Sequence, residues 1–208
     1  MSFARLHNSQ MRAWLSWGRE VLLSLVTTRM SAVAFHLDYF LYPPIILALL
    51  VAAASNLPVL HVLAFSMLGL AAWTLAEYLL HRFALHHWPY FSKFHLAHHV
   101  EPRAKIGAPT VFTLSFFFLI SFVPVLALST TGAACACYAG FLAGYIFFAA
   151  VHEAVHHSES QSRPMRYFKM LHAIHHHGSS DKNFGVITSF WDHVFGTYAN
   201  DIKSARTR

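Results

Sequence analysis

Four apolar runs, Tyr39–Ala54, Val59–Leu80, Ala108–Leu128 and Ala133–Val151, leave this chain few folds to choose from. A helix needs about 20 residues to cross the hydrocarbon core of a bilayer, and each run approaches that length, the first falling slightly short. Only 12% of the residues are charged and 56% are hydrophobic, against about 25% charged in a typical soluble domain. That balance places the 208 residues among membrane proteins, with a length that suits one domain. The expected fold is all-α, with four transmembrane helices paired as two hairpins. Ser55-Asn56-Leu57-Pro58 supplies one tight turn and Thr130–Gly132 the other. Pro43 and Pro44 fall near the start of the first run, where a missing N–H costs least.

Charge gives the orientation. Arg5, Arg12, Arg19 and Arg29 precede the first run, and Arg82, Lys93, Arg103 and Lys105 lie between the second and third. Arg163, Arg166, Lys169, Lys182, Lys203, Arg206 and Arg208 follow the fourth, which accounts for all 15 basic residues. The two short turns on the opposite side have none. The positive-inside rule then puts both termini in the cytoplasm. The formal charge of +6 reads as a basic membrane face; nucleic acid is excluded because the cations are dispersed along a very apolar chain.

Residues 1–38 are expected to form an N-terminal interfacial segment ahead of a membrane-embedded domain over 39–208. Within 11–28, Trp14, Leu15, Val21, Leu22 and Leu25 recur at helical spacing while Arg12 and Arg19 take another side, the pattern of an amphipathic helix lying on the membrane. Arg29, His36 and Asp38 interrupt its extension into a span. No secretory signal is expected, since the first twenty residues lack a long apolar core. Cys135 and Cys137, one residue apart inside the fourth run, read as small packing residues.

Between and after the apolar runs lie four histidine clusters, all on the cytoplasmic side: His81, His86 and His87; His95, His98 and His99; His152, His156 and His157; His172, His175, His176 and His177. Residues three or four apart share a helix face, so His95 with His98 and His99, His152 with His156, and His172 with His175 and His176 each aim at one point. His81 and His86 are five apart, about 140° around an ideal helix, and converge only if the helix ends or bends between them. Approaching Pro89 offers a reason for that. A surface tract would be contiguous and terminal, whereas these clusters alternate with Leu, Phe and Ala at helical period. Ten or more imidazoles exceed what one six-coordinate ion uses, so two metals are expected in a helical cap. Structural zinc takes four ligands, often with Cys. Imidazole also suits iron, whose redox chemistry needs open positions for oxygen. Acidic residues are scarce; Glu77, Glu153 and Asp192 are expected to orient the N–H groups of ligand histidines.

The four spacings in order, His81…His86, His95…His98-His99, His152…His156-His157 and His172…His175-His176, resemble the fatty acid hydroxylase (sterol desaturase) superfamily of integral-membrane di-iron enzymes. The ending Phe184-Gly185-Val186 with Trp191-Asp192-His193-Val194-Phe195-Gly196-Thr197 is similar to that family's as well. Within it the chain looks most like the catalytic core of fatty acid 2-hydroxylases. The resemblance implies insertion of one oxygen atom from O2 at C2 of an acyl chain or acyl lipid. It implies two iron ions, or zinc in their place, on ten ligands: His81, His86, His95, His98, His99, His152, His156, His172, His175 and His176. His157 is an eleventh contact or a supporting partner, and His87 and His177 are extra to the pattern. The eukaryotic 2-hydroxylases carry a cytochrome b5 domain with an HPGG motif that this sequence lacks. The expected reductant is thus a separate ferredoxin or cytochrome b5-type donor, steered by the basic face.

Two other readings compete. A desaturase or a carotenoid- or sterol-type hydroxylase would use the same kind of histidine site, but the FGV…WDHVFGT tail weighs against the desaturases and carotenoid hydroxylases. A membrane metal carrier or store would need ligands along the spans, and these lack histidine at mid-depth.

Overall fold

The second and fourth apolar runs make helices that do not stop where the apolar residues do. In the computed structural model, which describes residues 28–201, the chain is helical almost throughout. Its helices are α1 (Ala32–Ala54), α2 (Val59–Leu85), α3 (Pro89–Val100), α4 (Thr110–Leu128), α5 (Thr131–His157), α6 (Arg163–Ala173) and α7 (Phe190–Val194). By length and composition α1, α2, α4 and α5 can each cross a membrane. Among the described residues one short antiparallel ladder, Thr28–Arg29 on Ile106–Gly107, departs from an all-helical fold. It ties the entry of α1 to the connection before α4, and the Arg29 guanidinium pairs there with Glu101.

Helix α5 is the centre of the bundle. Most of it is buried, whereas α1, α2 and α4 leave the larger part of their surfaces exposed. Its buried stretch is rich in small residues, Gly132, Ala133, Ala134, Cys135, Ala136, Cys137, Ala139 and Gly140. Lipid tails are as apolar as leucine, so membrane helices associate through close van der Waals packing and need small residues at the contact. The contact with α2 is backbone against backbone. A Cβ on Gly69 would sit 1.9 Å from the Cys137 carbonyl oxygen, and one on Gly140 would sit 1.9 Å from that of Ser66. Cys135 and Cys137 are free and buried, as packing residues should be. Nearer the histidine end, Trp73 sets its ring edge-on to Phe117, Phe141 and Tyr145 at 5.3, 5.1 and 5.3 Å.

The first span is longer than the sequence suggested. It begins at Ala32, where the Ser31 hydroxyl caps the Ala34 N–H, and so it takes in His36 and Asp38. Both polar residues are paired across helices and do not stop the span. Asp38 accepts from Thr110 and Tyr145, and His36 meets Glu153 at 2.9 Å. Pro43 and Pro44 consequently lie inside α1 and leave the carbonyls of Tyr39 and Phe40 without their usual donors. The amphipathic helix expected over 11–28 falls outside the described residues except for Thr28, which belongs to the ladder.

Candidate metal centre

Helices α2 and α5 run on past their apolar stretches and carry His81, His152 and His156 out of the bundle on their last turns. Helix α3 and the turn after α6 bring the remaining clusters to the same end. There the ten histidines sort into two groups of five. The first holds His81, His86, His95, His99 and His175; the second holds His98, His152, His156, His172 and His176. Within each group one nitrogen per ring lies within 4.8 Å of its counterpart on every other ring. Neighbouring histidines part company: His98 and His99 serve different groups, as do His175 and His176.

Two π turns make this sorting possible. Leu80–Leu85 is π-helical with His86 at its C-cap. Its i→i+5 bonding places residues five apart over one another. His81 and His86 thus meet with ring centroids 5.1 Å apart, through a widened turn and not through the approach of Pro89. A second π turn, Ile174–Gly178, follows α6 and carries His175 and His176.

The nitrogens themselves test whether metal fits. In the first group His95 Nε2 lies 2.9 Å from His81 Nε2, 3.0 Å from His86 Nε2 and 3.0 Å from His99 Nε2. One imidazole proton cannot satisfy three such contacts. Two nitrogens bound about 2.1 Å from one ion, at right angles, would stand about 3 Å apart. In the second group His98 Nε2, His172 Nδ1 and both nitrogens of His176 are buried with no hydrogen-bond partner among the described residues. Orphaned buried nitrogens are costly unless an ion meets them. Both groups fit metal.

Burial first, then the neighbouring imidazoles, holds these rings neutral, which is the ligand form. His86 and His99 are pushed down to about 4 and His98 to about 3. His95, His172, His175 and His176 move in the same direction.

The expected orienting carboxylates act differently from expectation. None of the three hydrogen-bonds a ring of either group. Glu153 turns away and bonds His36 and the Tyr39 hydroxyl, each at 2.9 Å, because its place on α5 faces α1. Glu77 and Asp192 grip one short segment. Asp192 accepts the N–H groups of Phe184 and Gly185 at 2.9 Å each and the Thr197 hydroxyl at 2.7 Å. Glu77 accepts those of Val186 and Ile187 at 2.6 and 3.2 Å. Four successive backbone donors are thus held by two buried carboxylates. Burial raises the Asp192 carboxyl, although its three donors pull it back. The gripped segment and the residues just before it reach the histidines through carbonyls: His81 Nδ1 donates to Phe184 O at 2.5 Å, and His175 Nδ1 to Lys182 O at 2.7 Å. With Nδ1 committed, each Nε2 lone pair faces the centre. His157 and His177 are exposed and lie outside both groups.

Sequence reasoning missed Asn183, Tyr78 and Thr197. Asn183, at positive φ, fixes the segment by bonding the carbonyls of Leu171 and Ala199. Tyr78 bonds Thr197 across the chain at 3.0 Å. The hint of Asn183 and Thr197 was that the NFGV and WDHVFGTY stretches sit together in the tail, and for Tyr78 there was none.

Comparison with known proteins agrees with this geometry. A family model for fatty acid hydroxylase matches residues 66–197. The chain is 32% identical over 137 residues to the dihydroceramide fatty acyl 2-hydroxylase FAH2 of Arabidopsis thaliana, covering 62% of this chain and 58% of that protein. It is 33% identical over 171 residues to the ceramide very long chain fatty acid hydroxylase SCS7 of Saccharomyces cerevisiae, covering 74% of this chain and 43% of the relative. It therefore spans about half the length of these curated relatives. A solved structure of full-length scs7p, in which only the hydroxylase domain is visible, superposes with a TM-score of 0.72 at 30% identity, covering 80% of this chain and 67% of that one.

Proposed function

Because the chain belongs to the fatty acid hydroxylase family, we propose that it hydroxylates a fatty acyl chain or acyl lipid at C2, using O2, two histidine-held iron ions and electrons from a separate donor. The observation that carries this reading is the convergence of ten imidazoles as two five-nitrogen groups at one end of a bundle of apolar helices. Five nitrogens per group exceed the four of structural zinc, and right-angled spacing near 3 Å suits a higher coordination number; both favour iron. Position C2 is supported by the Arabidopsis relative, a dihydroceramide fatty acyl 2-hydroxylase.

Bound iron supplies the O2 chemistry that an unactivated C–H bond requires. Overall, one oxygen atom enters the C–H bond and the other leaves as water, with two electrons and two protons from the donor side and solvent. The chain's own residues prepare for this. Phe184 and Lys182 carbonyls hold two Nδ1 protons away from the centre, burial keeps the rings neutral, and the apolar helices offer the acyl chain a water-poor approach from the bilayer. The four spans are placed as two hairpins with the histidine cap and both termini in the cytoplasm, following the basic residues. A ferredoxin or cytochrome b5-type donor would meet that basic face.

Lipid mass spectrometry of cells producing the wild type or His98→Ala tests the reading. A lipid gaining one oxygen with the wild type alone is expected. Loss of two hydrogens would make the chain a desaturase, and equal products from both would remove the site.

A further inference from the structure

The two groups of histidines are held in different ways. In the first, His81 and His175 are each anchored through Nδ1 to a backbone carbonyl of the segment 182–184. Asn183 and Asp192 fix that segment in turn, and Glu77 fixes its continuation at Val186 and Ile187; all three are buried. In the second group, among the described residues, no ring donates to a backbone carbonyl or a carboxylate. The one hydrogen bond of His156 and of His172 is to the other, at 2.9 Å, and His172 Nδ1 and both nitrogens of His176 have no hydrogen-bond partner among the described residues. Its rings are positioned by packing, as where His152 stacks on Phe148 at 5.6 Å.

A ligand ring already turned toward the centre loses less freedom on binding, and an N–H donated to a carbonyl makes the opposite nitrogen a better donor to metal. We propose that the two groups are unequal metal sites: the group held by the tail segment binds its ion more tightly and fills first, and Glu77 and Asp192 are the positioning residues that set the difference. The proposal rests on the two-metal reading above. The second group, with unanchored rings, is the exchangeable site.

The test is an anaerobic titration of the metal-free, detergent-solubilised full chain with Fe(II) against a competing chelator, reading occupancy and not turnover. The wild type should bind in two steps at least tenfold apart. His81→Ala should remove the tight step and His176→Ala the weak one. Asp192→Asn and Glu77→Gln should weaken the tight step by about 10- to 100-fold and leave the weak step in place, which also reports that the variant is folded. Thr197→Val, which removes one partner of Asp192, should do the same to a smaller degree. Two equal steps in the wild type would overturn the proposal, as would variants that weaken both steps together or leave the tight step unchanged. Failure of the wild type to bind any ion would instead defeat the two-metal reading on which the proposal stands.

Discussion

The membrane half and the histidine cap of this protein are held together by opposite means. In the bundle α5 meets α2 through close approach of glycine and carbonyl, with aromatic rings filling the space toward the cap. Polar pairs there are few, Asp38 with Tyr145 and Thr110 being the chief one. In the cap the contacts are directional: carbonyls on imidazoles, and carboxylates on four successive N–H groups. Shape complementarity holds the first region and hydrogen-bond geometry the second. The first should therefore fail when volume is added and the second when a donor, an acceptor or a proton is changed.

The largest effect is expected at the glycine contact. Gly140→Leu drives a side chain into the Ser66 backbone, and overpacking costs ~3 kcal/mol or more when backbone must move. Yield of folded protein in detergent should collapse; a normal thermal melt would show that the two helices can part without loss. Next comes His98→Ala, which should abolish product and reduce bound metal while membrane insertion and helical circular dichroism stay as in the wild type. If the bundle fell apart too, the two halves would not be separable.

Acid should separate them more gently. In the metal-free protein His86 and His99 sit at about 4 and His98 at about 3, against 6.5 in an unfolded chain. Between those values the unfolded state binds more protons than the folded one, so stability falls as pH drops from about 6.5 toward 4. Near-ultraviolet circular dichroism of the cap should be lost in that window before far-ultraviolet helicity declines. Simultaneous loss of both signals would contradict the division. The smallest effect is expected from His61→Ala. This exposed residue lies at the start of α2, at the opposite end from His81, and the change should stay within about 0.5 kcal/mol. A variant without activity would place His61 against the centre and undo the assignment of ends.

The sequence alone determined the four spans, because apolar runs of membrane length can satisfy their backbone only as helices. The ten histidines that gather in the structure are the ten that the resemblance marked, and helical spacing alone accounted for every pairing within a cluster except His81 with His86. The error on the first span has a physical source: a charge such as Asp38 looks like a boundary until its partners are known, and Thr110 and Tyr145 lie far away in the chain. The same applies to Glu153, whose nearest histidine in sequence, His152, is not the one it bonds.

Only the tertiary structure decided how the histidines divide. Adjacent residues such as His98 and His99 point about 100° apart on a helix, so a motif read as one unit is shared between two groups of rings. Which group each ring joins depends on where α2, α3, α5, α6 and the turn after it meet. The role of the tail was equally hidden. Glu77 and Val186 are 109 residues apart in the chain. Spacing along a sequence reports which side chains share a face, whereas a carboxylate gripping a distant backbone leaves no periodic trace, since backbone N–H groups are the same at every residue but proline.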